Sequence, residues 1–277
     1  MTQETAFQNI KNLLKSSIEN QKTEELKRKA MHGQSTGPCK TISRSGKSLA
    51  PFCSSGLKGE TESLIIAAQY KALNRRYHQR NIMNQPTASK RRMCYKAEEH
   101  TKHTVVGCTT LGKSEYTNRH NKVGGYNHWT IREHMGSRVT NSYYEHILET
   151  AINVNGTTIM WDILVFTNRT VLAYRPNRVL HDKKGTISLL IDIATPDDLN
   201  VNTQETEQLS KYKDLEIEVS RMWKVRAIIV SVIIGALGTI KKGSDKNLQL
   251  LPGHPSAIEL QKVTLKSTAY FIRKVLG

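Results

Sequence analysis

Cysteine is scarce in this 277-residue chain, which has only Cys39, Cys53, Cys94 and Cys108. So few, so widely spread, do not build the dense disulfide framework of a small secreted scaffold. The start, MTQETAFQN, lacks the basic and apolar regions of a signal peptide. The longest apolar run, Ala227–Ile240 (AIIVSVIIGALGTI), contains Gly235 and Gly238. It falls short of the ~20 residues that span a bilayer and reads as a buried strand and turn. The expected location is nuclear or cytoplasmic, neither secreted nor transmembrane. Several catalytic signatures are also missing. There is no Gly-rich phosphate loop followed by Lys-Ser/Thr, no G-x-S-x-G elbow and no H-E-x-x-H helix, since Glu133-His134 lacks the partners. Asp197-Asp198 follows Thr195-Pro196 rather than an aromatic-x pair, so the chain holds no reverse transcriptase site.

Acidic residues are few as well: 24 Asp+Glu against 41 Lys+Arg, a formal net charge of +17. An excess of that size points to a polyanionic partner, DNA or RNA. It is concentrated before residue 140, in KALNRRYHQRN (Lys71–Asn81) and in Lys90-Arg91-Arg92, whereas Asp192–Glu218 is acidic. Arg75, Arg76, Arg80, Lys90, Arg91 and Arg92 are therefore the expected nucleic-acid contacts. A solvated helix face is the plain alternative for such a stripe.

Apolar spacing predicts three regions. Residues 1–83 read as a helical, basic connection, with helices over 3–30 and Gly59–Ile82 separated by a Ser/Gly/Pro-rich loop. Residues 84–147 hold a Cys/His segment and then a basic stretch bearing Tyr116, Tyr126, Trp129, Tyr143 and Tyr144. From residue 148 onward, strand-like runs (Thr157–Val165, Val171–Leu180, Thr186–Ala194) precede a helix near Gln204–Trp223. A strand at Ala227–Ile234 and a helix near Pro255–Leu276 complete the pattern. Strands, a crossover helix and a further buried strand describe an α/β domain with a mixed sheet, preceded by a mainly helical region.

Two constellations bear on chemistry. Cys94, His103 and Cys108 offer three soft ligands at short spacing, as a Zn2+ site requires, but Arg91 stands where a fourth would complete a knuckle. Plain thiols beside surface histidines are the other reading. In the strand Thr186–Ala194, Asp192 is a lone carboxylate among Leu189, Leu190, Ile191, Ile193 and Ala194. A charge there needs a partner, either a divalent cation such as Mg2+ or a hydrogen-bonded core environment. The cross-strand position is Asn177, which offers a carbonyl oxygen and no charge. Lys211, in the helix that follows, reaches back towards the sheet edge, with Tyr212 beside it to pack or donate. Pro196-Asp197 reads as a turn with a helix cap.

The motifs KRKAMHGQ, ETESLIIAAQYKAL, RRMC…H…C, EYTNRHNKV, RPNRVLHD…LLIDIATPDD, KYKDLEIEVSRMWKV and VSVIIGALGTI occur in that order. Together they resemble the C-terminal part of the polyprotein of non-LTR retrotransposons that carry a restriction-like endonuclease. The resemblance covers nearly the whole chain from about residue 22. It implies a helical connection, a CCHC zinc knuckle and a PD-(D/E)xK-type nuclease domain that nicks target DNA with Mg2+. It places the first metal-binding Asp at Asn177, the second at Asp192, the catalytic lysine at Lys211, and the knuckle ligands at Arg91, Cys94, His103 and Cys108. Asn177 and Arg91 both depart from the pattern, and Gln69-Tyr70-Lys71 stands for the family's Q-D-Q-like sequence. The expectation is a truncated, degenerate fragment, impaired in catalysis. A non-enzymatic nucleic-acid-binding module and a non-functional element remnant are the alternatives.

Overall fold

The computed structural model describes residues 17, 18, 21, 57–73, 76–81, 83–86, 94, 98–183 and 185–276. The expected first helix lies almost entirely outside the described residues, as do Arg75, Lys90, Arg91 and Arg92. The rest is a mixed α/β structure around one five-stranded sheet of order β1-β2-β3-β4-β5: Ala151–Val154, Thr157–Trp161, Arg178–Asp182, Ile187–Ala194 and Arg226–Ile233. The first four strands form an antiparallel meander, and β5 joins β4 in parallel. A parallel neighbour requires a crossover. Helices α4 (Val201–Lys211) and α5 (Lys213–Trp223) supply it. The mixed sheet expected from the strand–helix–strand pattern is present.

Before the sheet come α1 (Gly59–Gln69), α2 (Arg76–Asn81) and α3 (Thr117–His134); after it, α6 (Ser244–Gln249) and α7 (Ala257–Leu276). Alternation along β4 sorts the two faces. Ile191 and Ile193 pack with Val123 and Ile131 of α3, Ile159, Trp161 and Val230, and with Leu260 and Val263 of α7. Leu190 packs on the other face with Val179, Tyr212, Leu215 and Val219, under the crossover. Helix α7 carries a third cluster, in which Phe271 and Ile272 meet Ala68, Leu73, Val105, Cys108 and Leu111. Helix α3, which lies before the expected boundary at 148, thus shares its core with the sheet. None of the described helices is long and apolar enough to cross a membrane.

Element bounds differ from expectation where local chemistry intervenes. The helix expected over Gly59–Ile82 is two helices, broken where Lys71 takes φ 57°. The strand expected over Val171–Leu180 begins only at Arg178. Pro176 lacks the N–H a ladder needs, and Leu172 points into solvent at 96% exposure. The helix expected over Gln204–Trp223 starts earlier, at Val201, and is interrupted at Tyr212, whose ψ of 5° ends one helix and caps the next.

Arg119 joins the segment before the sheet to the sheet's end. Its guanidinium donates to Val105 O (3.1 Å), Thr268 Oγ1 (3.2 Å), Thr195 Oγ1 (3.2 Å) and Thr195 O (3.2 Å). It lies 5.3 and 5.4 Å from the ring centroids of Tyr116 and Phe271. Burial lowers its pKa to about 10.

Candidate functional site

Asp192, Asn177 and Lys211 come together at one edge of the sheet. The β3–β4 register pairs Arg178 with Ile191, so its continuation sets Asn177 opposite Asp192. Asn177 Oδ1 accepts the Ile193 N–H at 2.6 Å. Asp192 is 8% exposed and points to the crossover side, in parallel register with Ser231 of β5. The break at Tyr212 brings its hydroxyl 3.2 Å from Asp192 Oδ1 and 3.1 Å from Arg175 O, so it donates to one or the other. Lys211 Nζ donates to the same hydroxyl at 2.9 Å and lies 4.5 Å from the ring centroid. The carboxylate, hydroxyl and ammonium form a relay of charge-assisted bonds.

Electrostatics follow from that enclosure. Burial pushes the Asp192 carboxyl above the ordinary range, while the Lys211 charge, the Tyr212 hydroxyl bond, the His120 charge and the Asn177 backbone draw it back down. Burial, then the Asp192 charge, raises the Tyr212 phenol. Two of these participants, His120 and Ser231, carry no sequence signal that singles them out. His120 lies on α3, its ring 6.3 Å from that of Trp161. Among the described residues the buried Ser231 Oγ has no hydrogen-bond partner.

A hard divalent cation asks for several anionic or carbonyl oxygens around an open position. The one carboxylate here is already bonded by Tyr212, and the Asn177 oxygen by the Ile193 amide. Asp162 stands next in line, since its N–H donates to Asn177 O at 2.8 Å, but its carboxylate is held by a bidentate Arg175 fork at 2.8 and 2.8 Å. This donor set does not fit Mg2+. It suits a satisfied, neutralised polar cluster. Asp197, as expected, acts as a cap, accepting the Leu199 N–H at 3.0 Å.

The Cys/His segment forms a second site. The ligand atoms of Cys94, His103 and Cys108 all lie within 4.8 Å of one another, with Cys94 Sγ 3.2 Å from His103 Nε2. Ligands on a tetrahedral zinc are separated by ~3.5 Å for an S/N pair. The three residues therefore could hold a soft metal ion. Tyr116 fixes the turn that positions them: its hydroxyl accepts the Cys108 N–H (3.0 Å) and lies 2.7 Å from Thr104 O, to which it donates. His100 does not join the cluster; its Nδ1 accepts the His103 N–H at 3.0 Å. Of the expected nucleic-acid contacts, Arg80 is exposed and Arg76 half-buried on α2, away from both sites in sequence.

Arg178, one residue from Asn177, is wholly buried, and among the described residues no carboxylate is its hydrogen-bond partner. It donates to Asn127 Oδ1 and to Gly124 O (3.0 Å), and lies 4.9 Å from the Trp161 centroid. Desolvation lowers its pKa to about 9. Nearby, His128 Nδ1 and His146 Nε2 are hydrogen-bonded at 2.6 Å, and burial pushes the His128 imidazole down to about 2.

No protein-family model matches this chain, and no curated protein matches it.

Proposed function

We propose that this chain is a nucleic-acid-binding fragment related to the zinc-knuckle and restriction-like endonuclease region of non-LTR retrotransposon polyproteins, with DNA nicking impaired. One observation carries the reading. Asn177, Asp192 and Lys211, which the resemblance names as a nuclease triad, converge from the residue before β3, from β4 and from the end of α4. An antiparallel meander followed by a crossover into a parallel strand supports a PD-(D/E)xK-type domain. The impairment follows from the donor set, in which Tyr212 closes over the single carboxylate and an amide stands where a second anion is needed. In the same reading, Cys94, His103 and Cys108 bind Zn2+ and brace the segment beside α7. The excess of basic residues supports DNA or RNA as the partner.

The test is nicking of supercoiled plasmid in Mg2+ or Mn2+. The unmodified chain is expected to leave the plasmid intact while retarding it in a salt-sensitive manner. Vigorous nicking that Asp192→Ala abolishes refutes the impairment.

A further inference from the structure

Helix α3 presents a second face beside the one that carries Val123 and Ile131. Asn118, Asn121, Lys122 and Gly125 recur at intervals of three and four, so they share one stripe. On α7, Lys266, Tyr270 and Arg273 do the same. With the segment before β1, these stripes enclose a cleft of about 570 Å3.

Its lining has a definite chemistry. Lys122, Lys266 and Arg273 are cationic and exposed, and no carboxylate is among the described lining residues. The nearby Glu259 is engaged by Lys262 at 2.7 Å. Tyr144 is 74% exposed and Tyr270 56%, each offering a ring to the opening. Lys122 Nζ sits over one face of the Tyr270 ring, 5.3 Å from its centroid, so cation and aromatic ring adjoin. Tyr143 buttresses Tyr144 edge-on at 5.6 Å. Cations that track phosphates, alternating with aromatic faces, are what a single strand recognises. A duplex has its bases stacked on one another and offers such rings nothing.

Gly125 gives an independent indication. Its neighbour Gly124 is required by packing, because a Cβ there would lie 2.3 Å from Trp161. A Cβ at Gly125 would meet nothing within 4 Å. A glycine inside a helix costs about 1 kcal/mol relative to alanine. No packing constraint explains it here, and its effect is to keep the cleft floor clear.

We propose that this cleft binds an unpaired stretch of nucleic acid, its bases stacked on Tyr144 and Tyr270 and its phosphates on Lys122, Lys266 and Arg273. The proposal rests on the nucleic-acid reading above and specifies the surface that carries it. Fluorescence anisotropy of the full chain with labelled oligothymidylate and oligouridylate of about 12 nucleotides tests it, with a duplex of equal length as comparison. Single strands of either sugar are expected to bind more tightly than the duplex. Gly125→Leu, which fills the floor, and the Lys122→Glu/Lys266→Glu pair should each weaken single-strand binding tenfold or more. Tyr144→Ala should weaken it by about tenfold while leaving duplex binding unchanged. Should Gly125→Leu lose its far-UV circular dichroism, the exposed substitutions decide. Single-strand binding untouched by Tyr144→Ala and by the charge reversals overturns the cleft assignment but leaves the nucleic-acid reading standing. An unmodified chain that binds neither single strand nor duplex overturns both.

Discussion

Asn177→Asp isolates the defect at the sheet edge. The change preserves side-chain shape and sets a second negative charge beside Asp192. Two unit charges about 5 Å apart repel by about 3 kcal/mol at an effective dielectric of about 20. The Ile193 N–H, which now donates to an amide oxygen at 2.6 Å, would donate to a carboxylate, returning about 1 kcal/mol. The net cost of about 2 kcal/mol should lower Tm by roughly 4–8 °C when no Mg2+ or Mn2+ is added. A divalent cation between the two carboxylates removes the repulsion, and at about 100-fold over its Kd adds about 2.7 kcal/mol of stability. Melting curves of the zinc-loaded chain by circular dichroism, without added divalent cation, with Mg2+ and with Mn2+, should therefore show a metal-dependent rise of more than about 5 °C for the variant. The unmodified chain should show none. Identical curves for the variant with and without metal would refute the reading of these positions as a cation site that lacks one carboxylate. A comparable shift in the unmodified chain would refute the impairment.

Neighbouring glycines should respond oppositely: Gly124→Ala forces a Cβ into Trp161 and should cost about 1–3 kcal/mol in urea denaturation, whereas Gly125→Ala should be neutral or stabilise by up to about 1 kcal/mol. Asp198 has its carboxyl raised to about 6 by desolvation, so between about pH 4 and 6 the native state binds a proton that the unfolded chain has released, and this group's contribution falls as pH rises. The difference in unfolding free energy between the unmodified chain and Asp198→Asn should change by about 3 kcal/mol across that window; a constant difference would contradict the assignment. His128 acts in the other direction: held neutral by burial to about 2, it should make stability fall by about 1.4 kcal/mol per pH unit below 6.5, a slope that His128→Asn should remove in the same titration. Purified chain should carry zinc, and Cys108→Ser should reduce the zinc content measured by atomic emission while leaving the sheet's circular dichroism intact.

The relation between Asn177 and Asp192 was legible in the sequence because period-two alternation sets which residues of neighbouring strand runs face each other. Lys211 and Tyr212 were legible for a related reason, since a helix that follows a strand must return over its end. Helix α3 was not. Its buried positions include Arg119, Asn127, His128 and Arg132, and only Val123 and Ile131 give it apolar periodicity. Those polar groups are buried because partners distant in sequence accept them, Thr195 and Thr268 for Arg119 and Glu149 for Arg132, and pattern reading does not see such partners. The cleft between α3 and α7 was hidden for the same reason. Tyr144, Lys122 and Tyr270 belong to segments far apart in the chain and meet only through helix packing.

The break at Tyr212 also bears on the order in which the molecule assembles. β4 finds β3 across a short turn, an early event, but finds β5 only after α4 and α5 have closed a long loop. Asn177 and Asp192 belong to the early partnership, and Tyr212, at the joint of the two crossover helices, arrives with the late one. Until then Asp192 keeps its water. On that order the carboxylate would lose its water at the step that delivers a hydroxyl and an ammonium to receive it.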